Sequence, residues 1–508
     1  MKPAQSQSGS SRNGLGTARL ITGVFAVVVI LVSWVGLRLP YRGIDVTDID
    51  ANGTPLRLYK PSGSASLPGV LVLHGFGSAR QVMTGFALAL SKAGYAVATL
   101  DFGGHGASRR PLDRESGSLQ ADVDRAYTVF AALPEVDNQR IGILGHSMGS
   151  GAAMTAGIRN PERYSAVVAV SPTDAAVTAS GPKNLLLLAG TWEQRFLENS
   201  RDLLERAGGS TTSMHDFNAG TARLQTSIPN VEHITILFSR ISHQAALGWF
   251  NSTFGLESGS AYRDGRPMWF GIQLVGWLVL VLSVAPAVRT LTRPAHPTQV
   301  KRFERPYLWW ITGIISPFVA TGLTILVARS GKLGEIGGIL VGGTMALWFL
   351  VAGMLWLVPG FIVGAPARRD ILSGLVLFAV LTAVIGLGAH QVMMNWFLTP
   401  ARLVRWPVIA VAILPWTLAA GYAQQGRGGW AKTLVFLGQT TVVMVALTVT
   451  GLVAPGLYFI VLLLPALPIA LGAGAIVGGA ADRAWAYGVG NALFLAWMLM
   501  AVFPVTRT

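Results

Sequence analysis

Ile141-Gly142-Ile143-Leu144-Gly145-His146-Ser147-Met148-Gly149 is the stretch that decides the reading of this chain. A short apolar run enters Gly-x-Ser-x-Gly, and small residues (Ser150, Gly151, Ala152, Ala153) follow. This is the pattern of a strand that turns so sharply into a helix that the serine is strained and only glycine fits on either side. The turn lifts the hydroxyl clear of the sheet edge and aims the free N–H groups of a helix start at developing negative charge. In a chain with 60 glycines the pentapeptide alone is of modest specificity, so its neighbours decide.

The surrounding composition is that of a membrane protein. Of 508 residues, 51% are hydrophobic and only 12% are charged. Runs long enough to span a bilayer lie near residues 18–39, 268–288, 307–328, 336–363, 371–394, 407–423, 433–453, 456–479 and 484–504, giving nine expected spans. The net charge of +15 suggests nucleic acid until it is partitioned. Residues 40–266 carry 20 basic and 20 acidic residues, so the whole excess flanks the spans. With the N-terminus inside, 13 basic residues fall on the inner side and 5 on the outer. Positive-inside topology therefore accounts for the charge without nucleic acid, and it sets residues 40–266 on the outer face. The first span reads as an uncleaved signal-anchor, because its apolar stretch is long and Gly36-Leu37-Arg38-Leu39-Pro40 offers no A-x-A cleavage site. The chain has no cysteine, which excludes disulfides, Fe–S clusters and a thiol nucleophile.

The expected organisation is a disordered cytoplasmic tail (1–17), a transmembrane signal-anchor (18–39), an α/β domain (40–256), a linker (257–267) and an all-α multi-span transmembrane domain of eight spans (268–508). Between 44 and 251, strand-like and helix-like segments alternate, as in a mostly parallel sheet with helices on both faces. Core strands are predicted at 69–73, 95–100, 140–144, 166–170, 183–189 and 233–238, with helices at 80–93, 118–133, 148–159 and 194–207. The continuous apolar runs suit strands buried on both faces.

Two glycine-rich turns precede the serine. His74-Gly75-Phe76-Gly77 follows one strand, and its flexible backbone can bring the Phe76 N–H to an oxyanion; the Met148 N–H at the helix start is the second candidate donor. Asp101-Phe102-Gly103-Gly104-His105-Gly106-Ala107-Ser108 follows the next strand. Acid and histidine follow the serine in this kind of fold, so Asp101 and His105, like His74, Gly75, Gly145 and Gly149, read as supports of the loops. Downstream, Glu193 ends the buried strand Leu185 to Gly190 and is the first choice of acid, with Asp174 after Ser171-Pro172-Thr173 as the alternative. The base should follow the last strand. His243, just before an amphipathic helix, is preferred over His215 and over His233, which falls at the wrong end of the strand predicted at 233–238.

With those motifs in that order, residues 55–251 resemble the α/β-hydrolase superfamily, and the Asp101–Ser108 stretch is similar to loops of single-domain serine esterases, lipases and dienelactone-hydrolase-like members. The resemblance implies an eight-stranded sheet and a Ser–His–acid triad acting through an acyl-enzyme, with no metal or cofactor. Glu in place of the commoner Asp is one departure; the lack of the cysteine used by dienelactone hydrolases proper is another. The expected activity is a membrane-anchored, lipase-like carboxylic-ester hydrolase on the outer face of the plasma membrane, taking a small-molecule or lipid ester and touching membrane lipids but not nucleic acid. Two alternatives stay open: a transport or sensor protein whose hydrolase-like domain only binds, and an acyltransferase or peptidase using the same triad. Oligomeric state and the role of the eight C-terminal spans are not legible.

Overall fold

The computed structural model describes residues 8–113, 117–209, 216–292, 306–329, 336–358 and 364–507. His215 lies outside the described residues. The chain divides into two compact units, one of Met1–Val35, Met268–Gly388 and Arg402–Met500, the other of Gly36–Pro267, Ala389–Ala401 and Ala501–Thr508.

The second unit is built on one eight-stranded sheet. Its strands are β1 (Ile44–Ala51), β2 (Thr54–Pro61), β3 (Leu67–Leu73), β4 (Ala96–Leu100), β5 (Val136–His146), β6 (Ala166–Val170), β7 (Leu185–Gly190) and β8 (Arg223–Ile228). Their spatial order is β1-β2-β4-β3-β5-β6-β7-β8. From β4 to β8 every pairing is parallel, and β1–β2 form an antiparallel edge hairpin. That hairpin turns at Asn52-Gly53, both at positive φ, the backbone that a two-residue hairpin loop requires.

The central strands β3, β4, β6 and β7 and the 141–145 part of β5 are apolar except for Thr99, because both faces are covered. On one face Leu71, Leu73, Val167, Ala169, Leu185 and Leu187 pack with helices α3 (Ser118–Ala131), α4 (Met148–Arg159) and α5 (Gln194–Arg206). On the other face Val70, Val72, Val168, Leu186 and Leu188 pack with α2 (Thr84–Ser91) and α6 (Arg240–Phe254). Strict alternation across a pleat sorts neighbouring residues into the two cores. Gly142 admits a close approach of α6, since a Cβ there would stand 2.4 Å from the Phe250 ring. In-register pairs Leu73↔Gly145 and His146↔Val170 bring the carboxyl ends of β3, β5 and β6 to one edge. At such an edge an open parallel sheet places its ligand site.

The first unit is helical. Among the described residues, seven helices are long and apolar enough to cross a membrane: Gly16–Tyr41, Arg266–Ala285, Tyr307–Arg329, Arg368–Val392, Pro400–Gln424, Gly429–Val453 and Ala484–Val502. The other two predicted spans fall on shorter apolar helices, Gly342–Leu357 and Ala466–Gly479. Polar side chains inside this unit bond between helices: Thr321 Oγ1 donates to the Ala446 carbonyl at 3.1 Å, and Thr417 Oγ1 to that of Gly488 at 2.9 Å. A Cβ on Gly353 would lie 2.2 Å from the Trp416 nitrogen, so glycine there sets how closely two helices approach.

The elbow glycines differ sharply from a surface helical glycine. A Cβ at 145 would meet the Gly149 oxygen at 2.0 Å, whereas one at 248 meets nothing within 4 Å. Gly145→Ala should destabilise the second unit by about 3 kcal/mol and lower its melting temperature by about 6 °C or more. Gly248→Ala in exposed helix should leave the temperature unchanged or raise it slightly. Thermal melts of both variants in detergent check this.

Candidate active site

Ser147 leaves the end of β5 at φ 52° and ψ −121° and caps α4. A residue with a Cβ holds such a conformation only when its surroundings over-determine it, at a cost of roughly 1–3 kcal/mol. Here the Ser147 N–H donates to the Val170 carbonyl at 2.9 Å, and the Ser147 carbonyl accepts from Ser150 Oγ at 2.5 Å and Thr173 Oγ1 at 3.2 Å. Gly149 lets the elbow sit against β3, for a Cβ there would be 2.6 Å from the His74 oxygen.

Two strands along, β7 ends at Gly190 and the chain turns into α5 through Glu193, which is buried. Glu193 Oε1 accepts the Gly190 N–H at 2.6 Å and the Ser171 hydroxyl at 2.8 Å. Ser171 is itself held at φ 48° after β6. The other oxygen, Oε2, lies 3.0 Å from His233 Nδ1. His233 Nε2 lies 3.1 Å from Ser147 Oγ. Facing a carboxylate, Nδ1 carries the proton, which leaves Nε2 to accept from the serine hydroxyl. Serine, imidazole and carboxylate thus form one hydrogen-bonded line.

The loop bearing His233 is fixed from several directions. The Asn230 N–H donates to Thr191 Oγ1 at 2.9 Å, and the Val231 carbonyl accepts from Trp192 N–H at 3.1 Å. Glu232 accepts the N–H groups of Ile234 and Thr235 at 2.9 and 2.8 Å, capping the short 3₁₀ helix Thr235–Phe238. Phe196 stacks on the His233 ring at 4.3 Å and 22°. His146, within the pentapeptide, donates from Nε2 to the His233 carbonyl at 2.9 Å. Burial, helped by the neighbouring His233, holds His146 well below its ordinary pKa, so it is neutral and serves as a fixed donor.

The His74–Gly77 turn closes on the same edge. A Cβ on Gly75 would be 3.2 Å from Ser147 Cβ. His74 donates from Nδ1 to the Gly75 carbonyl at 2.7 Å and accepts the Phe102 N–H on Nε2 at 3.1 Å. Burial lowers its pKa and keeps it neutral. Asp101 accepts the N–H groups of Arg80 and Ala107 at 2.8 and 3.0 Å, and His105 donates from Nδ1 to the Gly103 carbonyl at 2.9 Å. These side chains organise loops around the serine and do not reach its hydroxyl. Among the described residues no cluster of three or more His, Asp or Glu side chains is arranged to hold a metal ion.

Residues 67–223 match the family model described as serine aminopeptidase, S33. The same edge geometry and strand order carry the serine elbow within that span. This part of the chain is an α/β-hydrolase domain.

Curated relatives of the hydrolase domain include a 31.7 kDa protein of Escherichia coli, 30% identical over 136 residues covering 26% of this chain and 48% of that one. Another is the 2-hydroxy-6-oxononadienedioate/2-hydroxy-6-oxononatrienedioate hydrolase of Cupriavidus pinatubonensis, 26% identical over 200 residues covering 38% of this chain and 66% of that one. The chain thus spans about half to two-thirds of the length of these relatives. Among solved structures, a dienelactone hydrolase from Anabaena variabilis aligns at 22% identity and TM-score 0.31, covering 41% of this chain and 97% of that one.

Three sequence expectations need correction: the base, the last strand and the alternative acid. His243 does not meet Ser147. It is buried in α6, donates from Nε2 to the Leu237 carbonyl at 2.9 Å, and packs edge-on against Phe86 at 4.6 Å. The expected last strand, 233–238, is instead an irregular turn and a 3₁₀ helix, whose Ile236 and Leu237 plug the core. The true last strand, Arg223–Ile228, is a half-exposed edge with polar Gln225, Thr226 and Ser227, and so lacks an apolar run. His233 follows that strand, where a base belongs. Asp174, the alternative acid, is an exposed residue paired with Arg206 at 2.5 Å, away from either histidine.

Burial pushes His243 down to about 4. Below pH 6.5 the unfolded chain protonates this residue while the folded one does not, so stability is present above 6.5 and is lost as pH falls to about 4. The loss attributable to His243 is about 3 kcal/mol across that window. His243→Gln should flatten that part of the acid slope of the melting temperature; an unchanged slope contradicts the assignment.

Proposed function

We propose that this protein is a membrane-anchored serine hydrolase of the carboxylic-ester class. The observation that carries the reading is the line from Glu193 Oε2 through His233 to Ser147 Oγ, at 3.0 and 3.1 Å. In this scheme His233 takes the hydroxyl proton as Ser147 Oγ attacks the acyl carbon, and Glu193 fixes the imidazole and stabilises it once protonated. The Phe76 and Met148 N–H groups receive the oxyanion; Met148 opens α4, where the first N–H groups have no partner within the helix. His233 then protonates the leaving alcohol, and water, activated by the same ring, releases the acid. A hydrolase relative agrees with a hydrolytic reaction, and the aminopeptidase description of the matching family makes amides the competing substrates.

Fluorophosphonate labelling of detergent-solubilised protein tests the proposal. Wild type should label at Ser147, with Ser147→Ala and His233→Ala reduced at least about a thousandfold and His243→Gln retaining most of the rate. An ester and amide panel then separates esterase from peptidase. Unlabelled wild type would leave a binding or sensor role.

The proposed topology sets the N-terminus in the cytoplasm and the hydrolase domain outside the plasma membrane. Residues 389–401 and 501–508 share a unit with Gly36–Pro267. They return to its side of the bilayer only if the short helices Gly342–Leu357 and Ala466–Gly479 also cross. Ion pairs support the count: Asp370–Arg483, and Asp482–Lys432 at 2.6 Å, link the loops this arrangement puts together on the opposite side. Because the chain lacks cysteine, single replacements report cleanly. Thr399→Cys and Arg507→Cys should react with an impermeant maleimide from the same side as Ser258→Cys, and Ala365→Cys and Gly428→Cys from the other. Either of the first pair reacting with the second would refute the nine-crossing scheme.

A further inference from the structure

The loop that carries His105 is completed by the far end of the chain. The Val505 N–H donates to the Gly104 carbonyl at 3.0 Å, and the Leu112 N–H donates to the Val505 carbonyl at 2.7 Å. Within the loop the Gly104 N–H donates to the Arg110 carbonyl at 2.7 Å, and Leu112 and Thr506 form a parallel bridge. The tail therefore pairs through its main chain with Gly104 and Leu112 at the two ends of this loop. Gly104 is shaped for it: φ is +74°, and a Cβ would meet the Val505 oxygen at 2.6 Å. Val502, Phe503, Val505 and Thr506 are buried.

From this pairing the contacts run to the His74–Gly77 turn beside the serine. His105, next to Gly104, packs edge-on against the Phe76 ring at 5.6 Å and tilts against His74 at 5.2 Å. Val502 Cγ1 would contact a Cβ on Gly77 at 3.8 Å, so the tail also backs the turn holding Phe76. Main-chain pairing of this kind fixes backbone position with little dependence on side-chain identity.

We propose that residues 502–507 are a positioning element of the active site: through their main-chain bonds to Gly104 and Leu112 they hold the 104–112 loop and, through His105, the Phe76 amide at the oxyanion position. This rests on the serine-hydrolase reading above. An oxyanion donor acts in the transition state more than in substrate binding, so its displacement lowers kcat and leaves KM nearly alone.

The test uses full-length protein in detergent with a soluble short-chain p-nitrophenyl ester and a fluorophosphonate. Val505→Pro removes the N–H given to Gly104; Val505→Ala keeps both main-chain bonds. Val505→Pro and deletion of Phe503–Thr508 should each slow labelling and kcat about tenfold or more, with KM within about twofold, while Val505→Ala stays near wild type. If the deletion fails to fold, the Val505→Pro and Val505→Ala pair decides alone. Wild-type rates in Val505→Pro, or equal slowing in Val505→Ala, would overturn the inference and leave the hydrolase reading standing. Wild type that neither labels nor turns over ester would remove that reading, and this inference with it.

Discussion

The constraint on which the site depends is the backbone at Ser147. A residue with a side chain is held at positive φ between two glycines that admit nothing larger, and hydrogen bonds to Val170, Ser150 and Thr173 keep it there. The strain has a geometric result. The hydroxyl stands off the carboxyl edge of the sheet while α4 starts directly behind it. Every other functional side chain then has to arrive at that point from a neighbouring strand.

Parallel register makes the arrival possible. Because β3, β5, β6 and β7 end near one level, the turns after them meet without long excursions: His74–Gly77, Ser147, Ser171 and Glu193 all lie within the first few residues past a strand. His233 comes from farther, five residues beyond β8, and it has the most elaborate support. Its carbonyl is held by His146, its ring by Phe196 and its flanking backbone by Glu232. The buried, neutral His146 couples the nucleophile's own motif to the base, so elbow and histidine loop are fixed relative to each other.

What the sequence made legible follows the strength of local physics. Strands β3 to β7 announce themselves because burial on both faces demands unbroken apolar runs, and Gly-x-Ser-x-Gly announces itself because the turn tolerates only glycine. The β1–β2 hairpin, which turns at Asn52-Gly53, was not read from the sequence, because its exposed β1 lacks an apolar run. The base escaped for the same reason in reverse. Edge strand β8 carries polar residues, whereas the apolar run Ile234–Phe238 imitates a core strand yet folds as a 3₁₀ turn. Hydropathy reports burial, and burial does not distinguish a strand from a plug. Pairing of Val505 with Gly104 had no local signal at all, since main-chain bonds between segments about 400 residues apart leave no pattern in either.

One covalent event at Ser147 engages all of these parts together. The most direct measurement is a crystal structure of the protein after reaction with an alkyl fluorophosphonate. The expected adduct has phosphorus bonded to Ser147 Oγ, the phosphoryl oxygen within about 3 Å of the Phe76 and Met148 nitrogens, and His233 still hydrogen-bonded to Glu193. An adduct elsewhere, or a phosphoryl oxygen turned away from both amides, would contradict it.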